Sequence, residues 1–445
     1  MTDFQIYLTL GVFAAVILLI AFDLIDMMVA ALIGVSVLIA FGVLDGNDLM
    51  PIVHTASGPL ALLFGGMVVA RVLDKTGVFE WLGEYTLHAT GGSGKRLLLI
   101  IVALLLPLNA FLPNATVVIL VAPIIIRVCQ VLEVDFVGPL IITAIVSNAA
   151  GMLTLVSDPA TFLVGRAIGL SFVDYLRMVS LGGLLAALVV VPFLPRLLPQ
   201  VWSMRTTLPP RSQVAIKHPA FLALALFVVL IMVVLFIVGE SLPIHIVPPQ
   251  VAIIGASLAL LVAYGVRVEP VGAVIRDVDW KTLVFLGAIF TLVQAFIKTD
   301  LLQGLSIQFH GWFGSEFTLV ALVTLASIGT IGFVIANIPL VAAALVMIKG
   351  YLVAAQAVPE IALAPGFADW PGVTLPVFVA MMFGGTLGGN ATLIGASANI
   401  VAVGICASNG RRVSFMQFLR IGLPITVAQL SVGALYVLGL TAILD

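Results

Sequence analysis

The chain predicts an all-α protein that crosses a membrane many times and is built as two related halves, and three observations carry that reading. Hydrophobic residues make up 62% of the sequence and charged residues only 9%, against roughly 25% charged in soluble domains. Apolar runs of about 20 residues, the length that crosses about 30 Å of hydrocarbon in a helix, recur from one end to the other. Pieces of the first half also return in the second: Lys75-Thr76 as Lys298-Thr299 and Asn114 as Asn337, each 223 positions later.

The first run, residues 4–22, lacks a basic flank and a small-residue cleavage site, so it reads as a membrane helix and not a signal peptide. Runs 27–44 and 56–73 follow. Residues 97–112 and 114–128 form a pair that turns at Asn114, and the pair reads as a re-entrant hairpin entering and leaving on one side. Residues 137–168 are too long for one simple span. They carry N-A-A-G-M-L-T-L-V-S-D-P from Asn148, which predicts a helix unwound in its middle. Span 176–199 closes the half.

The second half repeats the plan with 219–238, 246–265, 281–297, a hairpin of 317–334 and 337–353 turning at Asn337, the long segment 373–407, and 415–443. Its broken segment reads G-G-N-A-T-L-I-G-A-S-A-N from Gly388 to Asn399. Aligning Thr154 with Thr392 needs an offset of 238, and the 15 extra positions are assigned to the loop holding Pro359, Pro365, Gly366, Trp370 and Pro371, where an insertion costs least. Three units result: 1–199 (scaffold helices within 4–73, transport elements within 97–168), a linker 200–218, and 219–445 (scaffold 219–297, transport elements 317–407). Weak internal symmetry of this kind is how transporters built from structural repeats present themselves.

Loop charges orient the halves. Arg71, Lys75, Lys95 and Arg96 share one loop, whereas the matching loop 298–316 holds only Lys298. The positive-inside rule then puts the first in the cytoplasm and the second outside, so the repeats are inverted. Arg205, Arg211 and Lys217 make the linker cytoplasmic, as Arg411 and Arg412 do for a late loop; ten crossings leave both termini outside. A net charge of −2 without a Lys/Arg cluster gives no reason to expect nucleic acid. Cys129 and Cys406 read as packing residues, too few for a disulfide framework or a zinc site. Asp23, Asp26 and the five histidines fall near span ends and read as interfacial.

The run N-A-F-L-P-N-A-T from Asn109, followed by S-N-A-A-G-M-L-T-L-V-S-D-P from Ser147, resembles the ion transporter superfamily, in particular its ArsB and pink-eyed-dilution (P protein) branch. The run from Gly384 to Asn399 is similar to the second signature of that branch. The resemblance covers nearly the whole chain. It implies an elevator-type secondary transporter of the cell inner (plasma) membrane, commonly a homodimer, with a cytoplasmic ATPase as a further partner; members carry arsenite and antimonite, exchange sodium for protons, or carry carboxylates such as citrate. One departure stands out: the first signature usually continues Asp-Pro-Pro-Asn, and here it runs from Asp158 through Pro159 and Ala160 to Thr161.

Without the family, the breaks still predict a site. Interrupted helices aim bare N–H groups at one point and unwound carbonyls at another. Asn114, Thr116, Asn148, Thr154, Ser157, Asn337, Asn390, Thr392, Ser397 and Asn399 supply neutral donors and acceptors around it, a lining suited to a small polar solute or an alkali cation. An acid at membrane depth is costly and by default marks a proton or cation path, so Asp158 is the candidate proton carrier. No nucleophile with a partnered base and no metal-ligand cluster appears, so no enzyme and no cofactor are expected. The breaks contain no Lys or Arg apart from Arg166 near one end. That favours a neutral cargo, and the sequence reads as an exporter of arsenite or antimonite in exchange for protons. The alternative is a sodium/proton exchanger or a sodium-coupled carrier of a citrate-like anion.

Overall fold

The computed structural model describes residues 2–21, 24–208, 216–268, 270–363 and 367–444. Asp23, Arg211, Pro365 and Gly366, all named above, lie outside the described residues. Among those described, the chain is helical without a strand, and ten helices are long and apolar enough to cross a membrane.

Each half opens with three apolar helices: Asp3–Ala21, Met27–Ala40 and Leu49–Lys75, then Pro219–Val238, Pro248–Val266 and Trp280–Ile297. They pack across the halves, Pro248–Val266 against Leu49–Lys75 and Trp280–Ile297 against Met27–Ala40. Glycine makes the first contact close: a Cβ on Gly65 would stand 2.4 Å from the Ala252 carbonyl oxygen. Charges pin the ends. Lys298 Nζ donates to the Val43 carbonyl and to Asp48, both at 2.9 Å, while Arg71 pairs with Asp277 and Lys281 with Asp26. The Lys281 ammonium holds the Asp26 carboxyl below the usual carboxylate range. The repeated Lys-Thr pair ends two helices alike, Thr76 bonding back to the Leu73 carbonyl and Thr299 to that of Phe296.

The other elements keep the sequence offsets. The first hairpin is Gly94–Asn109 with Asn114–Val131, and the second is Phe317–Ile331 with Asn337–Ala354. The helix after each tip starts and ends 223 residues apart between the two. The first broken helix runs Val137–Ala150, a tight turn Gly151–Leu153, an irregular turn through 154–158 and Pro159–Ala167; the second runs Leu375–Gly388, Gly389–Ala391, an irregular turn through 392–396 and Ser397–Ser408. All four starting points are displaced by 238. The difference of 15 falls between Ala354 and Leu375, where Trp370 folds onto Phe378 and under Lys349. Both broken helices are interior: every residue from Pro376 to Gly388 is buried. By contrast Pro219–Val238 exposes Leu224, Phe227, Leu230 and Val234, which costs nothing against lipid tails of equal polarity.

Two elements went unread in the sequence. Val78–Ala89 and Leu301–Phe313 occupy segments treated as loops, because helices of 12 and 13 residues with mixed polarity give no spanning signal. Boundaries also moved: the run 56–73 belongs to a helix starting at Leu49, and 27–44 stops being helical after Ala40. Cys129 and Cys406 are both buried and unbridged, as expected for packing residues.

Candidate functional site

Both hairpin tips lean on the breaks, through hydroxyls that the unwound backbone aims at them. In the first half Thr154 donates to the Ala110 carbonyl, Ser147 to the Asn114 carbonyl (3.0 Å) and Ser157 to the Leu112 carbonyl (2.9 Å). Ser147 Oγ also lies 2.6 Å from Asn109 Oδ1 and Ser157 Oγ 3.3 Å from Asn114 Oδ1, so each hydroxyl shares its one proton between two acceptors. In the second half Thr392 donates to the Phe333 carbonyl. Phe333 stands 223 residues after Ala110 and Thr392 stands 238 after Thr154, so one contact is made twice. Gly151 is required at the first tip: a Cβ there would lie 2.3 Å from Asn114 Oδ1.

Asn148 joins the two breaks. Its Nδ2 donates to Asn390 Oδ1 at 2.8 Å and to Asn399 Oδ1 at 3.0 Å. Asn399 spends its own amide hydrogens on the carbonyls of Gly389 (2.9 Å) and Thr392 (2.8 Å). Asn390 passes the chain on to Gln429, whose Nε2 ends on the Ala186 carbonyl. Every amide orientation is thereby set, since turning Asn148 over would face its oxygen with two others. The three asparagines are almost wholly buried, and each partner left unmade there would cost about 1–3 kcal/mol.

Asp158 is 2% exposed and follows Ser157 directly in the first break. Thr386 Oγ1, from the second broken helix, donates to its Oδ2 at 2.8 Å. The carboxylate faces the N–H groups of Ala160 and Thr161 at the start of its own half-helix, without closing a capping bond of good geometry. No Lys, Arg or His pairs with it among the described residues. At the aligned position the second break has Ala396, and the half-helix beginning at Ser397 has no side-chain cap. No group of three or more metal-ligating side chains occurs among the described residues.

The geometry therefore gathers Asn114, Asn148, Thr154, Ser157, Asp158, Asn390, Thr392 and Asn399. Three expected residues stand apart from this network. Thr116 and Asn337 are half-buried and contribute no bond to it, and Ser397 is exposed. Asn337 opens its helix as Asn114 does, but the positions matching Ser147 and Ser157 are Gly385 and Gly395, which offer it no hydroxyl. Thr386, Ser147, Gln429, Tyr175 and Ser180 were missed. Thr386 had a signal, since it follows Asn148 by the offset that pairs Thr154 with Thr392; Gln429 sits in a long apolar span and had none beyond its polarity.

Comparison with known proteins places this geometry. The profile of the citrate transporter family matches residues 17–368. An uncharacterized transporter of Synechocystis sp. is 42% identical over 431 residues, covering 96% of each chain. A 46 kDa membrane protein of Mycobacterium leprae is 29% identical over 96% of this chain and 97% of its own. The human P protein is 27% identical over 98% of this chain and 60% of its own length. The crystal structure of the Alcanivorax borkumensis YdaH transporter, described as having an unusual topology, shares the fold with a TM-score of 0.56 at 14% identity, covering 89% of each chain.

Proposed function

This chain belongs to the citrate transporter family, and from that premise we propose that it is a secondary active carrier of a small organic anion of the carboxylate class, coupled to protons through Asp158. One observation carries the choice of cargo. The first half-helix presents its N-terminus to the protein's own carboxylate, Asp158, whereas the second presents its N-terminus to the methyl of Ala396, with Ser397 exposed beside it. Helix N-termini attract negative charge. A substrate carboxylate at Ser397 makes the two ends alike and needs no Lys or Arg.

The transport cycle follows from the division of the molecule. The six opening helices act as scaffold, and the hairpins with the broken helices move against them as the transport unit, in halves of opposite orientation, within a plasma-membrane homodimer. Asp158 takes up the proton on one side and releases it on the other. The expectation of arsenite or antimonite exchanged for protons is the second reading, supported by the neutrality of the buried network apart from Asp158; sodium coupling is the third.

Reconstitution into proteoliposomes separates them. Labelled citrate should accumulate under an imposed pH gradient without sodium, and Asp158→Asn should fall to background while remaining folded by size-exclusion profile. Accumulation of arsenite with none of citrate or related carboxylates would overturn the anion reading. Full uphill transport by Asp158→Asn would remove that residue from coupling.

A further inference from the structure

The two breaks are held open by different means. In the second, Asn399 sits in the first turn of its own half-helix and turns back on the freed carbonyls of Gly389 and Thr392. The break is closed from within. At the matching position of the first break, 238 residues earlier, stands Thr161, whose shorter side chain bonds to the Asp158 carbonyl at 3.0 Å and does not reach the freed carbonyls of the break. The freed carbonyls of the first break are taken from outside instead. Tyr175 OH donates to Met152 O at 3.2 Å, and Ser180 Oγ donates to Leu153 O at 2.6 Å.

Both donors belong to the next span, and its winding aims them. Tyr175 ends a short α-helical stretch, Phe172–Tyr175, and Ser180 ends the π-helical turns Leu176–Ser180 that follow. On an α-helix of about 3.6 residues per turn, residues five apart diverge by about 140° and would face different sides. The i→i+5 winding of a π-helix brings them onto one face. Gly183, one turn on, lets this face close in: a Cβ there would lie 2.8 Å from Met152 Cβ and 3.1 Å from its carbonyl oxygen. Tyr175 is fully buried and also lies beside Thr161 and Asp158.

We propose that Tyr175 and Ser180, aimed by the π-helical turns between them, are positioning residues that hold the first break in the shape that presents Asp158. This rests on Asp158 being the coupling group. The coupling half of the centre then answers to the position of a neighbouring span. The freed carbonyls of Gly389 and Thr392 in the second break do not, because Asn399 takes them from within. Rewinding Leu176–Ser180 to α-helix swings one donor off the break and releases it.

Two measurements on the full chain test this, using Tyr175→Phe/Ser180→Ala alone and with Thr161→Asn added, which supplies at the first break the side chain that closes the second. Amide hydrogen exchange over 151–157 should quicken about tenfold or more in the double variant, the size expected for losing two buried hydrogen bonds, with 389–395 unchanged, and Thr161→Asn should slow it again. In proteoliposomes the double variant should lose pH-driven citrate accumulation while equilibrative counterflow of labelled citrate persists, and Thr161→Asn should restore accumulation. Unchanged exchange over 151–157 overturns the positioning role whatever the cargo. Faster exchange with accumulation intact, or with both transport modes lost alike and not restored, overturns the link to coupling. Asp158→Asn run alongside keeps the premise separate: if it accumulates citrate as the unaltered chain does, the coupling reading fails while the exchange result still decides the cap.

Discussion

The two hairpins share a backbone and differ in how firmly they are fastened. Three hydroxyls from the first break, on Ser147, Thr154 and Ser157, grip the first tip. At the second tip, among the described residues, the Thr154 contact alone of the three recurs, as Thr392 to Phe333. The positions matching Ser147 and Ser157 are Gly385 and Gly395, which approach the hairpin without a donor: a Cβ on Gly395 would lie 2.8 Å from the Gly332 carbonyl, and one on Gly385 would lie 2.2 Å from a Val341 methyl carbon. Fit replaces fastening. The half that carries the acid is tied to its hairpin by hydroxyls, and the half with the open helix end by close backbone packing: a Cβ on Gly388 would stand 2.3 Å from the Gly329 carbonyl oxygen. A repeated fold can thus hold the same contact by two different means.

The largest expected effect tests what the two halves share. Asn148→Leu leaves the Oδ1 atoms of Asn390 and Asn399 without their donor, a loss of about 2–6 kcal/mol for two buried acceptors, read as a lower thermal midpoint and as faster exchange in both breaks together. Loss confined to one break would show that the halves are not joined there. Next, Ser147→Gly/Ser157→Gly gives the first hairpin the second's fastening at a cost of about 1–3 kcal/mol; thiol labelling of a cysteine placed at residue 114 should rise to the rate found at 337. If it stays slow, the hydroxyls are not what fastens the tip. Smaller again, Thr392→Val should raise labelling at 337 about fivefold, for about 1 kcal/mol, while Thr154→Val changes labelling at 114 less because two hydroxyls remain. Equal responses would break the contrast.

The smallest effect lies at the scaffold surface. Lys281 depresses the Asp26 carboxyl, so the pair contributes stability above the unfolded carboxylate value, and that contribution is lost as pH falls through the lower, folded one. Asp26 is exposed, so Asp26→Asn should cost well under about 1 kcal/mol at neutral pH, and urea titrations of the two proteins should converge in strong acid.

How much of this could be read in the sequence depends on where each residue's partner lies. Breaks announce themselves because Gly, Asn, Ser and Thr have no other reason to cluster in an apolar run, and the 223 and 238 offsets follow the elements to the residue. Tyr175, Ser180 and Gln429 act across element boundaries from ordinary-looking spans, where neither periodicity nor composition marks them. Ser397 reads from its motif as part of the lining, and the structure leaves it exposed at the open helix end, outside the buried network. Cargo was the least legible property, since the signatures describe how a helix is interrupted and the same interruption can face a carboxylate or a neutral hydroxylated solute.

The Asn148 amide also says something about how the chain must be made. Its two acceptors lie 242 and 251 residues further along, whereas Ser147, next to it, finds Asn109 only 38 residues back. During synthesis the first hairpin and its break can therefore settle as soon as the first half is inserted. The Asn148 side chain cannot: in hydrocarbon an unmet amide is costly, and its partners are still in the ribosome. The first half must wait with that amide in contact with water or with a helper protein until the second break brings both acceptors, and Gln429, 39 residues beyond Asn390, completes the chain of amides after that.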